Sequence, residues 1–202
     1  MQLVLATKNQ DKIREIRNLL EDLRITILTA DDFLEFPDIE ETGNTLEENA
    51  ILKAVGIADF TGYPALADDS GLEVDFLQGA PGVYSSRYAG PGCSYEDNNR
   101  KLLAELNGAP NEKRSARFRT VIAIAWDTEN IETAEGVVEG FITASKIGRS
   151  GFGYDPVFFY PPAGKTFAEI TLSEKNKISH RGQALIKAKS LLEKHLAKLA
   201  SE

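Results

Sequence analysis

The stretch Gln2-Leu3-Val4-Leu5-Ala6-Thr7-Lys8-Asn9-Gln10-Asp11-Lys12 decides the fold class of this chain. Residues 2–6 read as a continuous apolar strand, and a polar turn then leads into a helix. Ile13, Ile16 and Leu20 recur at helical spacing, so that helix runs to about residue 20. Residues 25–28 predict a second strand, and residues 31–44 are acidic and irregular. Thr45-Leu46-Glu47-Glu48 fits a capping box, opening a helix to about residue 60 with Leu46, Ala50, Ala54, Ile57 and Ala58 on its core face. Residues 64–88, rich in Gly and Pro, predict short strands and turns. Ser94 caps a helix over 95–106, with Glu96 and Asp97 in its favourable first turn. Residues 118–126 and 131–138 alternate as an antiparallel pair joined near 127–130. A Gly-rich bend at 148–153 leads to a strand at 157–159. One long helix from about residue 179 closes the chain, its stripe being Leu185, Ala188, Leu192, Leu196 and Leu199. Early strand–helix units and later hairpins predict an α/β domain over residues 1–202, a mixed sheet with helices on both faces.

Composition narrows the function. With 202 residues the chain can bury one real core, and no run approaches the ~20 apolar residues of a membrane span. The N-terminus lacks the basic start and cleavage site of a signal peptide. Cys93 is the only cysteine, so no intramolecular disulfide forms and a reducing, cytoplasmic setting is expected. His180 and His195 are the only histidines, which excludes a Cys/His zinc site. A net charge of −8 argues against a broad nucleic-acid surface, yet a few converging cations and a metal can still hold one small polyphosphate.

Six segments carry chemistry, and each has a plain structural alternative. Asp68-Asp69-Ser70-Gly71 ends an apolar run. It is either ordinary turn chemistry or a carboxylate pair suited to a hard cation such as Mg²⁺. Thr7-Lys8-Asn9-Gln10-Asp11-Lys12, at a strand-to-helix turn, is either a capped polar turn or a phosphate cradle. It lacks the glycines of a P-loop; Gly164-Lys165-Thr166 imitates one but has Phe159 where Gly is required. Lys53 stands about 20° from Leu46 on the 45–60 helix, with Asn49 one turn back, and either snorkels to solvent or reaches a phosphate. Glu40-Glu41-Thr42-Gly43 is a solvated loop unless it reaches Asp69. Phe152-Gly153-Tyr154-Asp155 combines flexible backbone with aromatics that serve a core or stack on a base. Lys175, Lys177, His180 and Arg181 gather at the expected start of the last helix. The dipole disfavours cations there unless an anion is near.

Taken together, these blocks closely resemble the non-standard purine nucleoside triphosphate pyrophosphatases, the inosine triphosphate or dITP/XTP pyrophosphatase family. The resemblance runs from Leu3 to about Leu192. It rests on Leu5-Ala6-Thr7-Lys8-Asn9 with Lys12, Glu41-Thr42-Gly43-Asn44-Thr45, Glu48-Asn49-Ala50-Ile51-Leu52-Lys53-Ala54 and Ala67-Asp68-Asp69-Ser70-Gly71-Leu72. Gly79-Ala80-Pro81-Gly82-Val83-Tyr84-Ser85-Ser86-Arg87-Tyr88, Gly151-Phe152-Gly153-Tyr154-Asp155-Pro156 and Ser179-His180-Arg181-Gly182 complete it. The order and spacing of the blocks make the likeness specific.

The resemblance implies an elongated mixed central sheet flanked by helices, with two lobes and the active-site cleft between them. It implies hydrolysis of ITP, dITP or XTP to the monophosphate and pyrophosphate, with Mg²⁺ as cofactor, in a homodimer. It places Thr7, Lys8, Asn9, Gln10, Asp11, Lys12 and Lys53 on the triphosphate. It makes Asp69 metal ligand and base, with Glu40 the second metal carboxylate and Glu41 close by. Ser70, Phe152, Gly153, Tyr154, Asp155, Lys175, His180 and Arg181 are implied to bind the nucleoside. Lys8 stands where many relatives have Gly, which bears on the geometry of the phosphate loop. The alternatives are a non-catalytic nucleotide sensor, a nucleic-acid module and a pyrophosphatase acting on a modified pyrimidine.

Overall fold

The computed structural model describes residues 1–201. Strand β1 (Gln2–Leu5) is followed by α1 (Gln10–Leu20), β2 (Thr26–Leu28), α2 (Leu46–Thr61) and β3 (Ala65–Val74). Next come β4 (Pro81–Gly82), α3 (Tyr95–Glu105), β5 (Ser115–Ala125), β6 (Ile131–Ile142), β7 (Phe158–Tyr160), β8 (Lys165–Thr166), α4 (Leu172–Ile178) and α5 (His180–Leu199). Among the described residues eight strands make one mixed sheet in the order β2-β1-β3-β5-β6-β7-β8, with β4 added to β3. β1 runs parallel to both β2 and β3, whereas β6, β7 and β8 pair antiparallel. The expected α/β class with a mixed sheet is therefore present. No helix among the described residues is long and apolar enough to cross a membrane.

The chain divides into two compact units, each assembled from separated segments. The first comprises residues 1–69, 120–136 and 181–202, and the second 70–119 and 137–180. Each unit has its own apolar core. In the first, Leu3 and Leu5 of β1 meet Ile13, Ile16 and Leu20 of α1 and Leu185, Ala188 and Leu192 of α5. The two-residue period of a strand sends Val4 to the other face, where it is equally buried. In the second unit Leu72, Leu102, Leu106, Phe118, Phe158 and Phe167 pack together.

Four local readings change. The glycine turn expected after the acidic pair does not form, because β3 continues through Gly71 to Val74. Leu72 and Val74 are fully buried and Leu72 N–H donates to Ser85 Oγ at 2.9 Å, so burial overrides turn propensity. The last helix, α5, starts at His180 as expected, but a separate helix that the sequence did not suggest, α4, precedes it and ends at Ile178, with Ser179 extended between them. Thr171 and Glu174 form a reciprocal capping box for α4, which puts Lys175 and Lys177 in its last turn. That end of the dipole favours cations, the reverse of the expectation. On α5 the apolar stripe stops early, as Leu199 is half exposed. At α2 only half of the capping box forms: Thr45 Oγ1 accepts from Glu48 N–H, but the Glu48 carboxylate turns to Asn44 N–H instead.

Candidate active site

In the first unit the polar turn after β1 is a capped helix start. Asn9 Oδ1 accepts from the N–H groups of Asp11 at 2.9 Å and Lys12 at 3.2 Å, and Thr7 Oγ1 accepts from Asn9 N–H. Since the cap takes two helix-end donors, what this segment can offer an anion is chiefly the side-chain charge of Lys8 and Lys12. Thr7, Lys8, Lys12, Ile39, Glu41 and Lys53 help line a cavity of about 200 Å³. Lys8 Nζ is paired at 2.6 Å with Asp38. Gln10 and Asp11 lie off this cavity: Gln10 is exposed and Asp11 faces Arg14 at 3.6 Å.

The two adjacent aspartates have different surroundings. Asp68 Oδ2 accepts from Lys12 Nζ and from Arg181 Nε, each at 3.1 Å, and Arg181 Nη1 reaches Glu15 Oε2 at 2.5 Å. Burial alone would raise the Asp68 carboxyl. Lys12, Arg181 and Lys53 outweigh that and hold it well below the usual carboxylate range. Burial would likewise lower Arg181, but Asp68 and Glu15 keep it above its ordinary value. Arg181 is thus a buried partner of two carboxylates. Glu15 is a site residue that sequence reasoning misses; its only mark there is its place on α1 one turn after Lys12.

Asp69 sits otherwise. Its Oδ1 accepts from Lys53 Nζ at 3.2 Å, while its Oδ2 is buried with no hydrogen-bond partner. Burial pushes Asp69 up against the pull of Lys53, and Glu41 adds to the rise. Lys53 Nζ also donates to Glu41 Oε1 at 2.7 Å and to the Asp68 carbonyl at 2.8 Å. Burial works against the ammonium, yet the surrounding carboxylates keep it above its ordinary value. Lys53 therefore does not snorkel. Of the neighbouring glutamates, Glu41 reaches this cluster, whereas the Glu40 side chain is exposed. The donor set is all oxygen, with one buried carboxylate oxygen unmatched, which suits a hard cation. No group of three or more His, Cys, Asp or Glu forms a metal cluster among the described residues.

The second unit holds the aromatic loop. Asp155 Oδ2 accepts from Lys175 Nζ at 2.7 Å and from Phe152 N–H at 2.9 Å. The ammonium lies 4.5 Å from the Phe152 ring centroid, a cation–π contact. Gly151 has φ +74°, and a Cβ there would stand 2.1 Å from Asp155 Oδ2, so this turn requires glycine. Asn99 of α3 donates to the Gly153 carbonyl at 2.8 Å. A polar residue at helical spacing from Leu102 and Leu106 is its only signal in the sequence. Tyr154 is buried, with its hydroxyl donating to the Ser85 carbonyl at 2.9 Å. His180 stacks on Phe118 with ring centroids 4.4 Å apart. Phe152 is half-buried, and Ser70 comes after Asp69 along β3. The structure thus gathers Lys12, Lys53, Asp69 and Arg181 in the first unit, and Phe152 to Asp155 with Lys175 in the second.

Comparison with known proteins identifies the family. A family model described as the Ham1 family matches residues 3–191. The chain is 52% identical over 192 residues to a dITP/XTP pyrophosphatase of Desulforamulus reducens, covering 95% of this chain and 96% of the relative. It is 51% identical to a dITP/XTP pyrophosphatase of Geobacter sulfurreducens, with 96% of each covered. Among solved structures, a HAM1 protein from Coxiella burnetii superposes with a TM-score of 0.89 at 45% identity, covering 96% of this chain and 99% of that one. A family match spanning nearly the whole sequence, with close relatives at about half identity, means that this chain belongs to the Ham1 family.

Proposed function

We propose that this protein is a nucleoside triphosphate pyrophosphohydrolase that converts deaminated purine nucleotides, ITP, dITP and XTP, to the monophosphate and pyrophosphate. The observation that carries the reading is Lys53 bridging Glu41 and Asp69 beside a lysine-lined cavity, with Asp69 Oδ2 buried and unmatched. Lys8, Lys12 and Lys53 supply positive charge for the leaving pyrophosphate. Asp69, raised by burial, is a stronger proton acceptor than an ordinary aspartate and orients the attacking water. Asp69 and Glu41 would hold Mg²⁺, with Glu40 close by in sequence, and waters and phosphate oxygens would complete its shell, as is usual for this cation. Held by these carboxylates, the cation would supply charge neutralisation at the phosphate oxygens.

Phe152 to Asp155, Ser70, Lys175, His180 and Arg181 are assigned to the nucleoside. The relatives named as dITP/XTP pyrophosphatases and the acidic net charge support a small nucleotide over a polymer. A homodimer acting in the cytoplasm belongs to the same reading. The test is a panel of nucleotides with Mg²⁺, resolving pyrophosphate from single phosphate as product. Release of orthophosphate alone, or binding without turnover as in a sensor, would overturn it.

A further inference from the structure

Residues 39–43 lie along one face of α2 and are held there at three points. Gly43 N–H donates to Asn49 Oδ1 at 2.8 Å. Glu41 accepts from Lys53 at 2.7 Å. Ile39 rests on Gly56, where an added Cβ would stand 2.7 Å from Ile39 Cδ1 and 3.1 Å from Cγ1. Positions 49, 53 and 56 are spaced i, i+4, i+7 and so share a helix face. Every second residue of the loop meets that face, and rising loop numbers descend the helix. A bend between Thr42 N–H and the Glu40 carbonyl, at 3.1 Å, takes up slack.

The loop sits without clearance at both ends. A Cβ on Gly43 would stand 2.6 Å from Glu48 Cβ and 2.8 Å from Asn49 Oδ1. Two residues of the face are poor choices for a helix on its own. Gly56 is interior to α2, where glycine is unfavourable. Asn49 is fully buried with its Nδ2 unmatched, a penalty an apolar residue would avoid. Local rules broken on one face beside a functional site mark residues kept for what they hold in place.

We propose that Asn49 and Gly56 are positioning residues: they fix the height of the 39–43 loop on α2 and thereby set where the Glu41 carboxylate stands against Lys53 and Asp69. The proposal rests on the reading that Glu41 and Asp69 hold the divalent cation.

Gly56→Ala separates this role from stability, because it improves helix propensity while lifting Ile39. Its melting temperature is expected at or above wild type. Mn²⁺ affinity, measured calorimetrically without nucleotide, should fall several-fold, and kcat/KM for ITP about tenfold. Adding Ile39→Val removes the Cδ1 methyl that the new Cβ meets, and the double variant should recover most of both losses. Asn49→Ala and Ile39→Ala should weaken Mn²⁺ binding in the same direction. Glu41→Gln and Asp69→Asn serve as references. If those two bind Mn²⁺ like wild type, the cation reading itself fails. If they lose Mn²⁺ while folded Gly56→Ala, Asn49→Ala and Ile39→Ala bind it unchanged, the positioning proposal alone is overturned.

Discussion

Asp68 and Asp69 are covalent neighbours whose electrostatics point in opposite directions. Asp68 has two buried cations on one oxygen, so its folded-state pKa is depressed. Its contribution to stability is therefore present above the unfolded aspartate value and lost only as pH falls through the lower folded one. Asp68→Asn at neutral pH takes the carboxylate from Lys12 and leaves Arg181 with only one of its two, Glu15. Urea unfolding should show a loss of about 3–5 kcal/mol, the cost of breaking a buried pair. Asp69 has its pKa raised, so burying its charged form costs stability that sets in as pH rises past the unfolded aspartate value and is complete above the raised folded one. Asp69→Asn should therefore melt no earlier than wild type while turnover of ITP falls ~10²–10⁴-fold. A variant working within a few-fold of wild type would remove Asp69 from the chemistry. Lys53→Ala should keep its helix, since alanine is a good helix former, yet lose far more activity than stability. Without that ammonium, only Lys12 opposes the rise that burial and Glu41 impose on Asp69, and the acidic limb of the kcat/KM profile should move to higher pH. Early melting with a normally active folded fraction would make Lys53 structural. Arg181→Ala cannot report cleanly on base recognition, because it also leaves Asp68 and Glu15 buried without their guanidinium.

At the scale of elements, periodicity identifies α1, α2 and α3 because each has a one-sided apolar stripe, and the β5–β6 pair from its alternation, although β5 is buried on both faces over 120–125. It fails where burial of distant partners decides the outcome. Gly71 looks like a turn, but Leu72 and Val74 belong to a core completed by residues up to 98 positions later, such as Ile170. Ser179 is read correctly as the approach to the last helix, but α4 is hidden because the Thr171–Glu174 box that opens it precedes only a seven-residue helix. The candidate site is legible as residue types, since Lys53, Asp69 and Glu41 stand in recognisable blocks. Which oxygen each cation takes is not, as this depends on a loop folding back over α2. The 151–155 turn allows a direct check. Gly151→Ala forces a side chain into φ +74° and onto Asp155, so Lys175 loses its seat. KM for ITP should rise at least severalfold with kcat less affected, and steady-state kinetics on ITP will show it.

For the whole molecule, selectivity depends on which edge groups the base presents. Hypoxanthine and xanthine carry an oxygen where adenine carries an amino group. A site offering donors there leaves buried groups unpaired with adenine, a mismatch worth ~10⁴ or more. Wild-type protein should turn over ITP and XTP far faster than ATP, and comparable rates in a competition assay would sink this. The first core has a consequence for biosynthesis. It joins Leu3 and Leu5 to Leu185 and Leu192, and its buried ion pair joins Glu15 to Arg181 across 166 positions. On a ribosome adding ~5–20 residues per second, the opening strand waits roughly 10–40 s for its last helix. Through that interval a greasy surface and unneutralised acids stand open on the nascent chain, an invitation to chaperones that closes only when α5 has emerged.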